Sequence, residues 1–255
     1  MSKQERSFRV EAVVLRHWDY GETDRMVVLF TREKGKLTAL AKGVRKPLSR
    51  KAGHLEPFTR LSVQLAQGSS IPIITQAETI DGHVSLRQEL TLIGQAAYVL
   101  EVVERFTFEG EENRSLYQLI VHTLQRLSAA VQPELVLRYF DVHLLAAVGY
   151  QPQLFYCVGC KKEIMPQDQY FSSVLGGVLC PTCGKNVIGA HAISMNGLKY
   201  LRHFQRSNFS EASQAHLSQA IAFELENIIH AYYSYLLEQQ LNSPAFLRRV
   251  TKPLP

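Results

Sequence analysis

Three observations predict an α+β, multi-domain chain. Alternating apolar runs punctuated by turn residues fill the first 80 positions. From about residue 84 the apolar residues recur at intervals of three and four, which is the helical period. Within that helical part the chain's four cysteines fall as two Cys-x-x-Cys pairs. The change of period near residues 80–84 is the clear boundary. It gives a β-module over 1–82 and an all-α domain over 83–255, with a cysteine module at about 154–188.

The β-module reads as five strands. Phe8 to Trp18 is valine-rich, followed by Met26 to Thr31, Lys36 to Val44, Phe58 to Ala66 and Ile71 to Ile80. In the fourth run Phe58, Leu61, Val63 and Leu65 nearly keep a period of two, as a strand with one buried face requires. Glu33-Lys34-Gly35 and Gly68-Ser69-Ser70 carry hairpin chemistry. Five short strands in such a span suit a small closed barrel. The five-stranded OB-fold is the common case, and an SH3-like barrel leaves a similar trace.

The helical part follows. Leu92, Ala96, Val99, Leu100, Val103 and Phe106 form one apolar stripe, and Leu116, Leu119, Ile120, Leu124 and Leu127 a second. Pro133 suits the first turn of a third helix, which Gly149 stops. After the cysteines, Ser194 is placed to cap a short helix to about Phe204. Ser210, with Glu211 in the first turn, is placed to cap a long one to about Leu241, ended by Pro244. Arg248, Arg249 and Lys252 make a basic tail. Phe223, Tyr232, Tyr233, Tyr235 and Leu236 recur at helical spacing, as core or as a groove for a partner peptide.

Cys157-Val-Gly-Cys160 and Cys180-Pro-Thr-Cys183 are separated by residues 161–179, a spacing typical of structural zinc sites. Two such knuckles set four thiolates around one tetrahedral ion. Lys161, Lys162 and Lys185 stand beside them to offset part of the charge. Two local disulfides or plain buried thiols are the alternatives, with His191 as a fallback ligand. Hydrophobic content of 46% and charged content of 20% mark a packed globular chain. No apolar run reaches the ~18 residues of a membrane span. The polar N-terminus has no signal core, so a cytoplasmic protein with reduced thiols is expected, which favours metal over disulfides.

Net charge is +5, and it is unevenly spread. Residues 1–80 hold 14 Lys+Arg against 8 Asp+Glu, while the remainder hold 14 against 15. From Lys34 to Leu55 there is no acidic residue, and seven cations occur: Lys34, Lys36, Lys42, Arg45, Lys46, Arg50 and Lys51. The densest part is rich in Gly, Pro and Ser and reads as a flexible, solvated loop. Mobile cations on a barrel rim suit a phosphate backbone, with little base readout. Arg25 and Arg32 are outer candidates. Trp18 and Tyr20 suit either packing or base contact, whereas Phe58 reads as core. Asp19, Glu22 and Asp24 are an acidic cluster that reads as a solvated hairpin rather than a Mg²⁺ site. No catalytic constellation or nucleotide-binding fingerprint is present.

Three stretches then carry a family resemblance. They are Tyr20-Gly-Glu-Thr-Asp-Arg-Met-Val-Val-Leu-Phe-Thr-Arg-Glu-Lys-Gly-Lys-Leu with Ala41-Lys-Gly-Val-Arg-Lys-Pro and Ser49-Arg-Lys; Leu137-Arg-Tyr-Phe-Asp-Val-His-Leu-Leu-Ala-Ala-Val-Gly-Tyr-Gln-Pro; and the cysteine quartet. In order and spacing the chain resembles the bacterial RecO family of DNA repair proteins over nearly its full length. The resemblance implies an OB-fold, a helical domain with a zinc-finger module, and one structural Zn²⁺ per chain on Cys157, Cys160, Cys180 and Cys183. It implies no enzymatic turnover. It implies binding of single- and double-stranded DNA and annealing of complementary strands. It also implies partnership with RecR and with the C-terminal tail of single-stranded DNA-binding protein, and an indirect role in loading RecA. It places the chain in the bacterial cytoplasm, associated with the nucleoid. For the acidic, apolar-ended tail, Tyr200, Arg202, His203 and Arg206 are the candidate contacts. A protein-binding adaptor, with DNA contact secondary, is the alternative.

Overall fold

The computed structural model of the chain describes residues 7–129 and 132–250. These fall into two compact units, one of residues up to 129 joined by 242–250, the other of residues 132–241. In the first unit five strands, β1 (Ser7–Tyr20), β2 (Asp24–Thr31), β3 (Gly35–Ala41), β4 (Arg60–Ala66) and β5 (Ile73–Asp81), close into a barrel in the order β1-β2-β3-β5-β4. All neighbours are antiparallel except β3 and β5, which run parallel and meet at Leu40 and Ile73. This is the OB arrangement. Inward positions alternate as the sequence pattern requires: Val10, Ala12 and Val14 on β1 face Val27 and Leu29 on β2 and Leu61, Val63 and Leu65 on β4. Each Val or Leu among them contributes about 1.5–3 kcal/mol when buried.

A register shift between Val14 and Arg16 bends β1, allowing its outer face to pack on a helix. That helix is α1 (Leu90–Phe106), followed by α2 (Arg114–Ser128), which Asn113 caps by accepting a bond from the Leu116 amide at 2.9 Å. Tyr117 on α2 donates to Glu11 on β1 at 2.8 Å, and Arg60 on β4 donates to the same carboxylate at 2.6 Å. Burial pushes the Tyr117 phenol up, and the charge of Glu11 adds to this.

In the second unit α3 (Pro133–Ala147) begins with its proline. It buries Arg138 and Asp141 as a pair 3.2 Å apart, and Tyr233 donates to Asp141 at 3.0 Å. Three short strands follow, β6 (Gln169–Ser172), β7 (Gly177–Leu179) and β8 (His191–Ile193), in the order β7-β6-β8, with a one-turn α4 (Pro181–Gly184) between β7 and β8. The part expected to be wholly helical therefore contains a small sheet. Strands of three or four residues are too short to show a period.

Ser194 caps α5 (Met195–Arg206) as expected, accepting from the Gly197 amide at 2.9 Å. The single long helix expected from Ser210 is two. Asn208 and Glu211 form a capping box on α6 (Phe209–Ala212), and Ser218 caps α7 (Gln219–Leu237). The break arises because Ser218 competes as a cap and because Tyr200 takes the His216 carbonyl, which a continuous helix would have used internally. Glu238, at φ 54°, ends α7. Pro244 does not terminate a helix; it sits in the first turn of α8 (Ser243–Val250), which carries Arg248 and Arg249 and belongs to the first unit.

Glu101 on α1 holds α8 in place. Its carboxylate accepts from the Asn242 and Ser243 amides, each at 2.8 Å, and from the Ser243 hydroxyl at 2.6 Å. Burial alone would raise its pKa, but these bonds together hold it below the usual carboxylate range. A carboxyl whose folded pKa is depressed adds stability at neutral pH and loses it as pH falls below its unfolded value toward the folded one. Wild type should therefore lose thermal stability below about pH 4.5 more steeply than Glu101→Gln, as read by melting scans against pH.

Candidate nucleic-acid interface and metal centre

The segment after β3 is tied to the barrel at both ends. Val44 is 1% exposed and plugs the barrel core, which fixes the loop at its root. The Asp24 carboxylate accepts from the Gly43 amide at 2.7 Å, and the Arg45 amide donates to the Thr23 carbonyl at 2.9 Å, binding the loop to the β1–β2 turn. The Gly43 amide bond is the main reason the Asp24 carboxyl is held below its ordinary range, and Lys42 and Lys46 add to it by charge. Lys51 points inward; its ammonium donates to the Lys42 and Ile74 carbonyls at 3.1 and 2.9 Å, and burial lowers its pKa. The tether from Asp24, nineteen positions upstream of Gly43, is one that no local pattern displays.

The nine candidate cations separate into groups. Lys42, Lys46 and Arg50 are exposed and make no ion pair within 4.0 Å among the described residues. Arg45 is exposed too, with Asp19 at 3.3 Å and the Gly21 and Glu22 carbonyls at 3.4 and 3.2 Å. Arg25 bridges Asp19 and Glu56 at 3.2 and 3.1 Å. Lys34 lies in the β2–β3 turn, its ammonium 4.8 Å from the centre of the Phe8 ring. Arg32 is exposed near Glu11 and Glu33. Lys36 is placed elsewhere: its half-buried ammonium donates to the carbonyls of Glu104, at 2.7 Å, and Thr107, closing the C-terminal end of α1, and burial lowers its pKa. The structure thus gathers Lys42, Arg45, Lys46 and Arg50 at one end of the barrel, with Lys51 as their brace.

The acidic cluster is consumed locally. Asp19 pairs with Arg25 and Arg45, and Asp24 holds Gly43. Trp18 and Tyr20 remain 38% and 56% exposed, with the Arg16 guanidinium 4.5 Å over the indole. Phe58 is buried as expected, though at φ 71°. Of the aromatics on α7, Tyr232 and Tyr233 are core while Phe223 and Tyr235 face solvent.

In the second unit the four cysteine sulfurs lie within 4.8 Å of one another, and they are the metal-type cluster found among the described residues. His191 stands outside it, exposed on β8. No disulfide links the four. A tetrahedron with 2.3 Å metal–sulfur bonds separates its sulfurs by about 3.8 Å; Cys160 and Cys180 are 3.9 Å apart. The first knuckle turns tightly, with the Lys161 amide donating to the Cys157 carbonyl at 2.8 Å and Lys161 at φ 63°. Gly159 makes room for the second, since a Cβ there would sit 3.3 Å from the Cys183 sulfur. Burial opposes charge on Cys157, but the amides of Cys180, Cys160 and Gly159 bring its pKa down to about 6. Sharing bonds with Cys180 and Cys160 pushes the Cys183 thiol up to about 12. Four thiols this close cannot all ionise alone, and a divalent cation resolves the conflict. The donor set fits a structural metal site.

The four residues expected to grip an acidic tail part company on α5. Tyr200 and His203 line a cleft of about 530 Å³ with Lys199 and with Ile221 of α7. Arg202 and Arg206 turn the other way, stacking on Phe155 beside the cysteine module at 5.1 and 3.9 Å. Arg202 also donates to the Leu154 carbonyl at 2.8 Å. Lys199 is the cation that the sequence reading missed; the i, i+4 spacing to His203 was the available signal.

An OB barrel with a cationic loop, followed in the chain by a mainly helical unit that carries a tetracysteine cluster, defines a two-part α+β class of protein. The family model described as Recombination protein O N terminal matches residues 2–83, and that described as Recombination protein O C terminal matches residues 87–245. A DNA repair protein RecO from Dehalococcoides mccartyi is 37% identical over 233 residues, spanning 91% of this chain and 92% of its own length. Others from Roseiflexus sp. and Pelotomaculum thermopropionicum are 37% and 35% identical over 251 and 242 residues, covering 98% and 95% of this chain and 88% and 94% of theirs. The chain belongs to the RecO family of DNA repair proteins. Among the described residues no helix is long and apolar enough to cross a membrane.

Metal binding that braces the second unit should appear in its stability. Losing about 3 kcal/mol lowers the melting temperature of a chain this size by roughly 6–12 °C. Cys157→Ser should melt at least that much lower and bind no metal, by circular dichroism and elemental analysis; a metal-free variant with unchanged melting contradicts a structural role.

Proposed function

We infer that the chain works without catalytic turnover, as a DNA repair and recombination mediator. On this reading it binds single- and double-stranded DNA through residues 1–82, with 83–255 as its helical domain. It promotes annealing of complementary strands. With RecR it assists RecA loading on gapped DNA coated by single-stranded DNA-binding protein, in the cytoplasm at the nucleoid. The observation that carries the reading is the tethered loop that presents Lys42, Arg45, Lys46 and Arg50 to solvent. Each cation that meets a phosphate releases counterions, so affinity comes from backbone contact and is indifferent to sequence. Neutralising two backbones at one surface lowers their mutual repulsion, and base pairing then completes annealing.

On the same reading one Zn²⁺ per chain occupies Cys157, Cys160, Cys180 and Cys183 and serves folding rather than DNA contact. The acidic C-terminal tail of single-stranded DNA-binding protein is assigned to the cleft at Lys199, Tyr200 and His203. There an ammonium ion borders Ile221 and an aromatic ring, matching a carboxylate-rich peptide with an apolar end. Arg202 and Arg206 are left out, being stacked on Phe155.

The test is a salt titration of oligonucleotide binding. Lys51 is spared because it braces the loop. Replacing Lys42, Arg45, Lys46 and Arg50 by Ala should weaken binding and flatten the slope of log K against log [salt] by up to about 3 units on single strands. An unchanged slope moves the DNA contact off this loop and favours the adaptor reading.

A further inference from the structure

A second concave site lies on the barrel, outside the cationic loop. The β4–β5 connection, residues 67–72, encloses with Phe8 of β1 and Lys34 of the β2–β3 turn a cavity of about 520 Å³. Phe8 is half-buried; one part of its ring packs on the barrel core, and the Lys34 ammonium rests 4.8 Å from its centre. The rest of the lining comes from Gln67, Gly68, Ser69, Ser70, Ile71 and Pro72, a mixture of polar and apolar residues. Its curvature is fixed at Gly68, where a Cβ would sit 2.0 Å from the Ile71 carbonyl oxygen. One aromatic ring, one exposed cation and a lining that includes Gln67, Ser69 and Ser70 are what a single nucleotide needs: a platform for the base, a charge for its phosphate and polar residues near its edge.

The site is continuous with the cationic loop through the backbone. The Pro72 carbonyl accepts from the Leu40 amide at 2.8 Å, just before Lys42, and the Ile74 carbonyl accepts from the Lys51 ammonium at 2.9 Å. A strand following the phosphate-binding loop therefore has this connection as its neighbour.

We propose that the Phe8–Lys34 cavity holds one unpaired nucleobase of a single strand. Lys34 leaves the ring for the phosphate, which frees the aromatic face for stacking. Duplex DNA, whose bases are already stacked, gains nothing here. Anchoring one base keeps a strand in place while leaving the rest of its bases open to a complement. This deepens the DNA-binding reading above and rests on it.

The experiment compares wild type, Phe8→Leu and Phe8→Ala by fluorescence anisotropy on oligo-dT, on an abasic oligomer of equal length and on a duplex. Leu retains packing without a π face, so it serves if Ala unfolds the barrel; melting scans report which. Wild type should favour oligo-dT over the abasic strand by about fivefold or more. Phe8→Leu should abolish that preference while abasic and duplex binding stay within about twofold of wild type. Equal wild-type affinity for oligo-dT and abasic strands, or a folded Phe8→Leu that keeps the preference, overturns the proposal while phosphate-driven binding stands. Failure of wild type to bind any of the three overturns the broader reading instead.

Discussion

Like charges must be crowded on one short loop without either neutralising or scattering them, and the rest of the first unit is organised around that constraint. Backbone contacts tie the loop down, and of its four outward cations Arg45 is also paired with Asp19. One carboxylate, Asp24, binds an amide, and one lysine, Lys51, binds two carbonyls, while Val44 sinks into the barrel. Four cations are then carried outward on a fixed frame. For the DNA contact proposed above, side chains carried on a tethered backbone lose less conformational entropy on meeting a polyanion. The closed barrel is what makes the frame possible, because β1, β2 and β3 bring residues 19–24 and 42–46 to one end.

The second unit meets the opposite problem, four potential negative charges in one small volume. Backbone amides aimed at Cys157 and the pinch at Gly159 bring the sulfurs to ligand spacing, and only a bound cation makes the cluster favourable as a whole. The small sheet beside the cysteines has a buried apolar core of Leu154, Ile164, Phe171, Val178, Leu179 and Ile193, and the four sulfurs gather at its edge. Buried polar pairing recurs nearby. Arg138 and Asp141 are held with Tyr233, and Glu224 accepts from the Ser194 hydroxyl at 2.7 Å at the start of α5. These carboxylates set helix ends and packing angles rather than chemistry.

Much of this was legible in the residues. The five barrel strands, the first three helices, the Ser194 cap and the cysteine quartet announce themselves through period, turn chemistry and spacing, all of which are local. Beyond the three short strands, whose length hides any period, most of the losses come from partners far apart in the chain. Lys36 reads as a free cation, yet it is spent on carbonyls about seventy positions away. The Asp24–Gly43 bond tethers a loop whose glycine, proline and serine content suggested mobility. Ser210 reads as the cap of one long helix although Asn208 with Glu211 and Ser218 are the caps used, and the Tyr200 bond to the His216 carbonyl between them is not visible locally. On α5, helical spacing puts Arg202 and Arg206 on the same side as Lys199, and only the position of Phe155 shows that the two arginines meet a different neighbour.

Ultraviolet cross-linking of halogenated single-stranded DNA to the intact protein, with the adducts mapped by mass spectrometry, tests the central claim most directly. The account predicts adducts concentrated between residues 42 and 51 and around Phe8. Adducts confined to residues 132–241 would contradict it.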